Sequence, residues 1–222
     1  MNWQSVLYIL PGIILGLTVH EFCHAFAAYK LGDSTAKDQG RLTLNPIKHI
    51  DIIGLLFIII ARFGWAKPVQ FNPDNLRHPK RDKAIIAAAG PLANLLLALL
   101  LIYIIKGYEL INARVFFAGN YELFGILNSE AAMIVLFIVL QAIWINLGLF
   151  IFNLLPLPPL DGSHIFLMFL NLPYETEVKI MKIVAPLLFI IIIIQQWTGI
   201  TILPVGRAVG WIMSLFFPEL MY

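Results

Sequence analysis

The chain has 222 residues, 60% of them hydrophobic and only 13% charged, with a mean hydropathy of +0.85 and a formal net charge of +2. A soluble domain runs nearer half apolar and a quarter charged, so this composition excludes an ordinary soluble fold and points to a membrane protein. The small net charge gives no sign of a nucleic-acid partner, and a single cysteine, Cys23, excludes an intrachain disulfide framework.

The first predicted helix covers roughly Ser5 to Tyr29, long enough to cross a bilayer, which takes about 20 mostly apolar residues. Met1 to Val19 carry no charged side chain. The run leads into a polar cluster rather than to a small-residue cleavage site, so it reads as a span and not as a signal peptide. Segment 30–83 follows and holds ten of the fifteen Lys and Arg. Within it, Ile50 to Ile60 is apolar but short and contains Asp51 and Gly54, which predicts a re-entrant or half-buried helix. "GRLTLNP" (40–46) and "WAKPVQFNP" (65–73) alternate apolar with polar residues and end in Asn-Pro, the pattern of short extended pieces.

Three uncharged runs then predict full spans: Ala84 to Ile105 (22 residues), Ala131 to Leu155 (25) and Ile183 to Gly206 (24). Ala208 to Phe217 is a short tail, either an interfacial helix or the second arm of a C-terminal hairpin over about 178–217. The expected fold is an all-α polytopic membrane protein with about four to six transmembrane helices, built as one unit over 1–222 with its core at about 5–170. Basic loops stay in the cytoplasm, and loop 106–130 holds only two Lys and Arg. Segment 30–83 is therefore expected inside, the N-terminus and loop 106–130 outside, and the third span returns to the cytoplasm near Pro156.

"TVHEFCHAFAAYK" (18–30) places His20, Glu21 and His24 inside the first span. Residues four apart share one helix face, so two imidazoles can aim at one point. Neutral imidazole suits zinc, which in catalytic sites takes three protein ligands and leaves one position for water. Glu21, next to the first ligand, can reach that water as general base without binding metal. Ionisable residues within a span cost at least ~2.5 kcal/mol each at mid-membrane, so they are rare and mark function. Cys23 is better read as a small packing residue than as a ligand.

The third ligand is sought at the same depth. In "FNLLPLPPLDGSHIF" (152–166), Pro156, Pro158 and Pro159 deny the backbone its helical hydrogen bonds and break the third span just before Asp161. Unwound backbone in a membrane must be buried in protein or line a wet cavity, and an aspartate there is a suitable ligand. The alternative is that Asp161 caps the following helix. Asp33, Asp38, Asp51, His49 and His164 are weaker candidates, and His49 and His78 read as ordinary loop residues. Asn94 and Asn153 lie within spans, where a side-chain amide needs a partner; near a metal it can also hold a substrate carbonyl or an oxyanion.

Together these residues resemble the site-2 protease family of intramembrane zinc metalloproteases. His20-Glu21-x-x-His24 resembles its zinc motif, "NLLPLPPLDG" (153–162) its second motif, and "AGPLAN" (89–94) its Gly-x-x-x-Asn element. "LGDSTAKDQGRLTLNPIKHID" and "GWAKPVQFNP" are similar to the short prokaryotic subgroup without a PDZ domain. The resemblance implies one Zn²⁺ per chain held by His20, His24 and Asp161, Glu21 as base, and Asn94 and Asn153 as substrate-positioning residues. It implies a transmembrane protein or peptide as substrate, cleaved in a prokaryotic cell membrane; the loop charges put the site toward the cytoplasm. A membrane metal carrier accounts for the ligands but not for Glu21. A non-cleaving binder does not account for the complete set.

Overall fold

The computed structural model describes residues 3–61, 64–170 and 172–218. Among the described residues there are nine α-helices and no strand, in keeping with the all-α expectation. Among these residues, three helices are long and apolar enough to cross a membrane: the first, over Val6–Lys30, and those over Pro79–Phe117 and Glu130–Asn153.

Helix α1 (Trp3–Lys30) is followed by the single turn α2 (Thr35–Asp38) and by α3 (Ile52–Ala61). Ten helical residues rise about 15 Å, half of a ~30 Å hydrocarbon core, so α3 is too short to cross one. The two Asn-Pro pairs each end in a 3₁₀ turn rather than in a strand. The Asn45 side chain accepts from Ile47 N, and that of Asn72 accepts from Asp74 N, while the following prolines supply the first helical φ. Among the described residues, the expected extended structure is reduced to one antiparallel bridge, in which Ala66 of the second segment pairs with Ile50.

Helix α4 (Pro79–Phe117) has 39 residues and overruns the predicted span at both ends. Pro79 stands in its first turn, where a missing N–H costs nothing. Loop 106–130 is mostly helical too: α4 ends at Phe117, the chain turns at Gly119 (φ 73°), α5 (Tyr121–Leu127) follows, and Asn120 and Ser129 cap α5 and α6. Helix α6 (Glu130–Asn153) matches its prediction closely. The fourth predicted span, 183–206, is displaced: α8 (Tyr174–Thr198) starts before it and stops at Gly199, whose φ of 70° is a left-handed helix terminus.

Helices α1, α4 and α6 pack together. Gly12 allows a close α1–α6 crossing, since a Cβ there would lie 2.7 Å from Ala142 Cα. Below it, Ala98, Ile102 and Ile105 of α4 bury against Ile143 and Leu147 of α6 and against Val209, Met213 and Phe217. The last three lie on or just after α9 (Val205–Phe216), so the short C-terminal tail is a packed member of the bundle.

Asp33, outside the spans and fully buried, knots the first loop to the third. Its Oδ1 accepts from Thr35 N, Thr35 Oγ1 and Asn75 Nδ2, and its Oδ2 from Asn72 N. Burial works to raise its pKa, but these four donors outweigh burial and hold the carboxyl below the usual carboxylate range. Its stabilisation is full above the unfolded pKa of about 4 and is lost as pH falls through the lower folded value. Asp33→Asn in detergent is therefore expected to melt below wild type at pH 7, with the gap closing below about pH 4. A gap independent of pH would refute the assignment.

Candidate metal centre

His20 and His24 share one face of α1, with ring centroids 4.5 Å apart and nearly perpendicular planes. Their Nε2 atoms lie 3.0 Å from each other. Asp161 brings Oδ2 to 3.1 Å from His20 Nε2 and 3.4 Å from His24 Nε2. The prolines place it there: α6 stops at Asn153, the chain turns through 154–160, and α7 (Asp161–Leu170) starts at the aspartate. Gly162 lets this turn close tightly, because a Cβ on it would meet Leu154 O at 2.3 Å. Gly90 does the same for α4 against α1; its Cβ would lie 2.4 Å from His24 Nε2 and 2.7 Å from His20 Cε1.

The positions of the protons decide what this cluster can hold. Asn94, fully buried on α4, donates through Nδ2 to Gly16 O (3.0 Å) and to Asn146 Oδ1 (2.8 Å). Both amide hydrogens are thus committed, and the atom 2.6 Å from His20 Nδ1 is Asn94 Oδ1, an acceptor. His24 Nδ1 lies 2.7 Å from Ile86 O, which also only accepts. Each neutral imidazole therefore carries its hydrogen on Nδ1 and its lone pair on Nε2. Two nitrogen lone pairs and a carboxylate oxygen face one another, and Asp161 Oδ2 is buried without a hydrogen-bond donor. Three acceptors at this range repel unless a cation lies among them. Two imidazole nitrogens and one carboxylate oxygen, all within 4.8 Å of one another, make a donor set of the catalytic zinc type, oriented from behind by Asn94 and Ile86 O. The residues fit such a metal.

Glu21 stands beside this set and outside it. Its Oε2 accepts from Val69 N at 2.8 Å, so the carboxylate is held from across the cleft by segment 64–71. That segment is itself clamped: Arg41 donates to Lys67 O (2.6 Å) and Pro68 O (3.2 Å). His49 donates through Nε2 to Thr43 O (2.7 Å), while its own carbonyl accepts from Lys67 N (2.8 Å). The cleft in front of the three ligand atoms has a volume of about 380 Å³ and is bounded by Val69, Phe71, Asn153, His164 and, from α8, Leu188 and Ile192. That is the size of a small-ligand pocket.

The sequence model of peptidase family M50 matches residues 8–194. The chain belongs to peptidase family M50. It is accordingly a metalloprotease of the site-2 protease kind, and a helical membrane protein. The candidate zinc metalloprotease YwhC of Bacillus subtilis is 42% identical over 163 residues, which cover 71% of this chain and 67% of that protein. The candidate zinc metalloprotease Rip2 of Mycolicibacterium smegmatis is 33% identical over 162 residues, and its counterpart in Mycobacterium tuberculosis 29% over 160. The matches cover 70% and 69% of the M50 chain and 54% of each Rip2. No solved structure matches it.

In this M50 protease the fold brings His20, Glu21, His24, Asp161 and Asn153 to one cleft. Asn153 lies at its wall and donates one amide hydrogen back to Leu149 O at 3.0 Å. Asn94 departs from the expectation of a substrate contact: it sits behind His20, fully buried, with no amide hydrogen left to offer. Asp33, Asp38, Asp51 and His49 do not join the ligand set, and His164 lines the cleft without entering that set. Asp51 instead accepts from Gly54 N at the start of α3. Sequence reading gave the Arg41 side chain no role, took His49 for an ordinary loop residue, and met Gly90 only as the glycine of the Gly-x-x-x-Asn element. The contacts that give them their roles, to Lys67, Pro68, His20 and His24, reach across 18 to 70 residues of chain, which no local pattern displays.

Proposed function

We propose that the protein is a zinc-dependent intramembrane endopeptidase, with His20, His24 and Asp161 as the ligands of one Zn²⁺ per chain and Glu21 as general base. Its substrate is a peptide bond in or next to a transmembrane segment of another membrane protein. The observation that carries this reading is the meeting of three committed lone-pair donors beside a carboxylate that is not one of them.

Zinc bound there supplies Lewis acidity, which acidifies water and polarises a carbonyl. The chain's own groups do the rest. Glu21, steadied by Val69 N–H, takes a proton from the attacking water and delivers it to the nitrogen of the departing amine as the C–N bond breaks. The remaining amide hydrogen of Asn153 is available for the oxygen that gains charge. A substrate helix must unwind first, because its carbonyls are otherwise tied up in the helical ladder. Leu188 and Ile192 keep that side of the cleft apolar. The charge of segment 30–83 supports a site that faces the cytoplasm.

The test is the metal content of detergent-purified protein. Wild type is expected to hold about one zinc per chain, and His24→Ala and Asp161→Ala to lose it. Full zinc in Asp161→Ala would move the third ligand elsewhere. No zinc in wild type after reconstitution would end the reading.

A further inference from the structure

Asn146 lies on α6, outside every motif that the sequence displays. It is fully buried in the bundle. Its Oδ1 accepts from Asn94 Nδ2 at 2.8 Å, and its own Nδ2 donates to Ala142 O, one turn back on α6, at 2.8 Å. That second bond fixes which end of the Asn146 amide points at Asn94. Gly16 makes room: a Cβ there would lie 2.9 Å from Asn146 Oδ1, so only glycine lets α1 pass with this amide in place.

Resting on the reading of His20, His24 and Asp161 as a zinc site, we propose that Asn146 is a positioning residue for that site, which acts by holding Asn94 in one amide orientation. An Asn side chain has two orientations of nearly the same shape and opposite hydrogen-bonding sense. With Oδ1 toward His20, the imidazole hydrogen is on Nδ1 and Nε2 is free to bind metal. In the flipped state the amide would offer N–H to Nδ1, and the imidazole hydrogen would move to Nε2, where it blocks coordination. The flip also turns Asn94 Oδ1 toward Gly16 O and Asn146 Oδ1, both acceptors, and it is their joint presence that forbids it. Without Asn146 only the Gly16 carbonyl opposes the flip. The chain of contact thus runs from α6 through α4 to a metal ligand on α1, and joins the three spans at the depth of the site.

The test compares Asn146→Leu, which removes the acceptor at similar volume, with Asn146→Asp, which keeps it and, as the neutral carboxyl that full burial favours, can still donate to Ala142 O. Zinc affinity is read by chelator competition, and the ligand set by the absorption spectrum of the cobalt-substituted protein. Melting of the metal-free protein reports folding. Asn146→Leu is expected to weaken zinc about 10- to 100-fold and to change the cobalt spectrum, as loss of a ligand's orienting partner does, while Asn146→Asp stays near wild type. Gly16→Ala presses on Oδ1 with the amide intact and carries the test should Asn146→Leu not fold; a smaller weakening in the same direction is expected. Wild-type affinity and spectrum in Asn146→Leu or, if that variant does not fold, in Gly16→Ala would overturn the proposal. So would equal losses in Asn146→Leu and Asn146→Asp, which would mean packing alone. Absence of zinc from wild type would overturn the ligand reading along with this one.

Discussion

Gly90→Ala should strip the metal from the protein while leaving the bundle folded. The added Cβ would lie 2.4 Å from His24 Nε2, 2.6 Å from His24 Cε1 and 2.7 Å from His20 Cε1. Neither ring can yield cheaply. His20 is held by Asn94 Oδ1 and His24 by Ile86 O, both through short bonds at Nδ1. Either the rings swing off those partners or α4 backs away from α1. In both cases the lone pairs no longer converge with Asp161. Overpacking of this kind costs about 1–3 kcal/mol, against which the better helix propensity of alanine returns about 1 kcal/mol. The loss of fold stability is therefore modest, and the effect concentrates in zinc affinity, expected to drop at least about 100-fold by the standard of lost orienting partners. Gly107→Ala is the control. It lies on the same helix with nothing within 4 Å of the new Cβ, and should bind zinc as wild type does. Wild-type zinc in Gly90→Ala would mean that the α1–α4 contact is looser than the distances imply.

Glu21→Gln should separate catalysis from binding. Glutamine keeps the shape of the side chain, and its Oε1 can still accept from Val69 N–H, so the cleft and its contact with segment 64–71 are retained. What it loses is the capacity to take a proton. Removal of a general base costs about 10²- to 10⁴-fold in turnover, equivalent to about 3–5 kcal/mol of transition-state stabilisation. Metal content should be unchanged, because Glu21 lies outside the ligand set. The readouts are single-turnover cleavage of a reconstituted membrane-protein substrate and zinc per chain on the same preparation. Retained cleavage would assign the proton transfer to another group. A metal carrier, in contrast, would move its ion as well with glutamine at this position as with glutamate.

The sequence by itself determined the membrane-embedded helical fold, because apolar runs of 22 and 25 residues have few other ways to satisfy their backbone. It also determined the pairing of His20 with His24, since helical periodicity alone puts them on one face, and the break before Asp161, since three prolines in four positions cannot continue a helix. Helix ends were less legible. Residue 106 looked like a loop because it is charged, yet Lys106 pairs with Glu109 on the helix surface at 2.8 Å, and α4 continues.

Only the tertiary structure decided which atoms the histidines present. A tautomer is set by the partner at the other nitrogen, and those partners, Asn94 Oδ1 and Ile86 O, arrive from 74 and 62 residues away. The same holds for Glu21, steadied by a backbone N–H 48 residues distant that carries no side-chain signal at all. Asn94 was visible in the sequence as a polar residue in a span, but its direction was not. It turned toward a ligand instead of toward the substrate because Gly16 and Asn146 take up both of its hydrogens. Periodicity specifies the face of a helix; what that face meets is specified by how the helices pack.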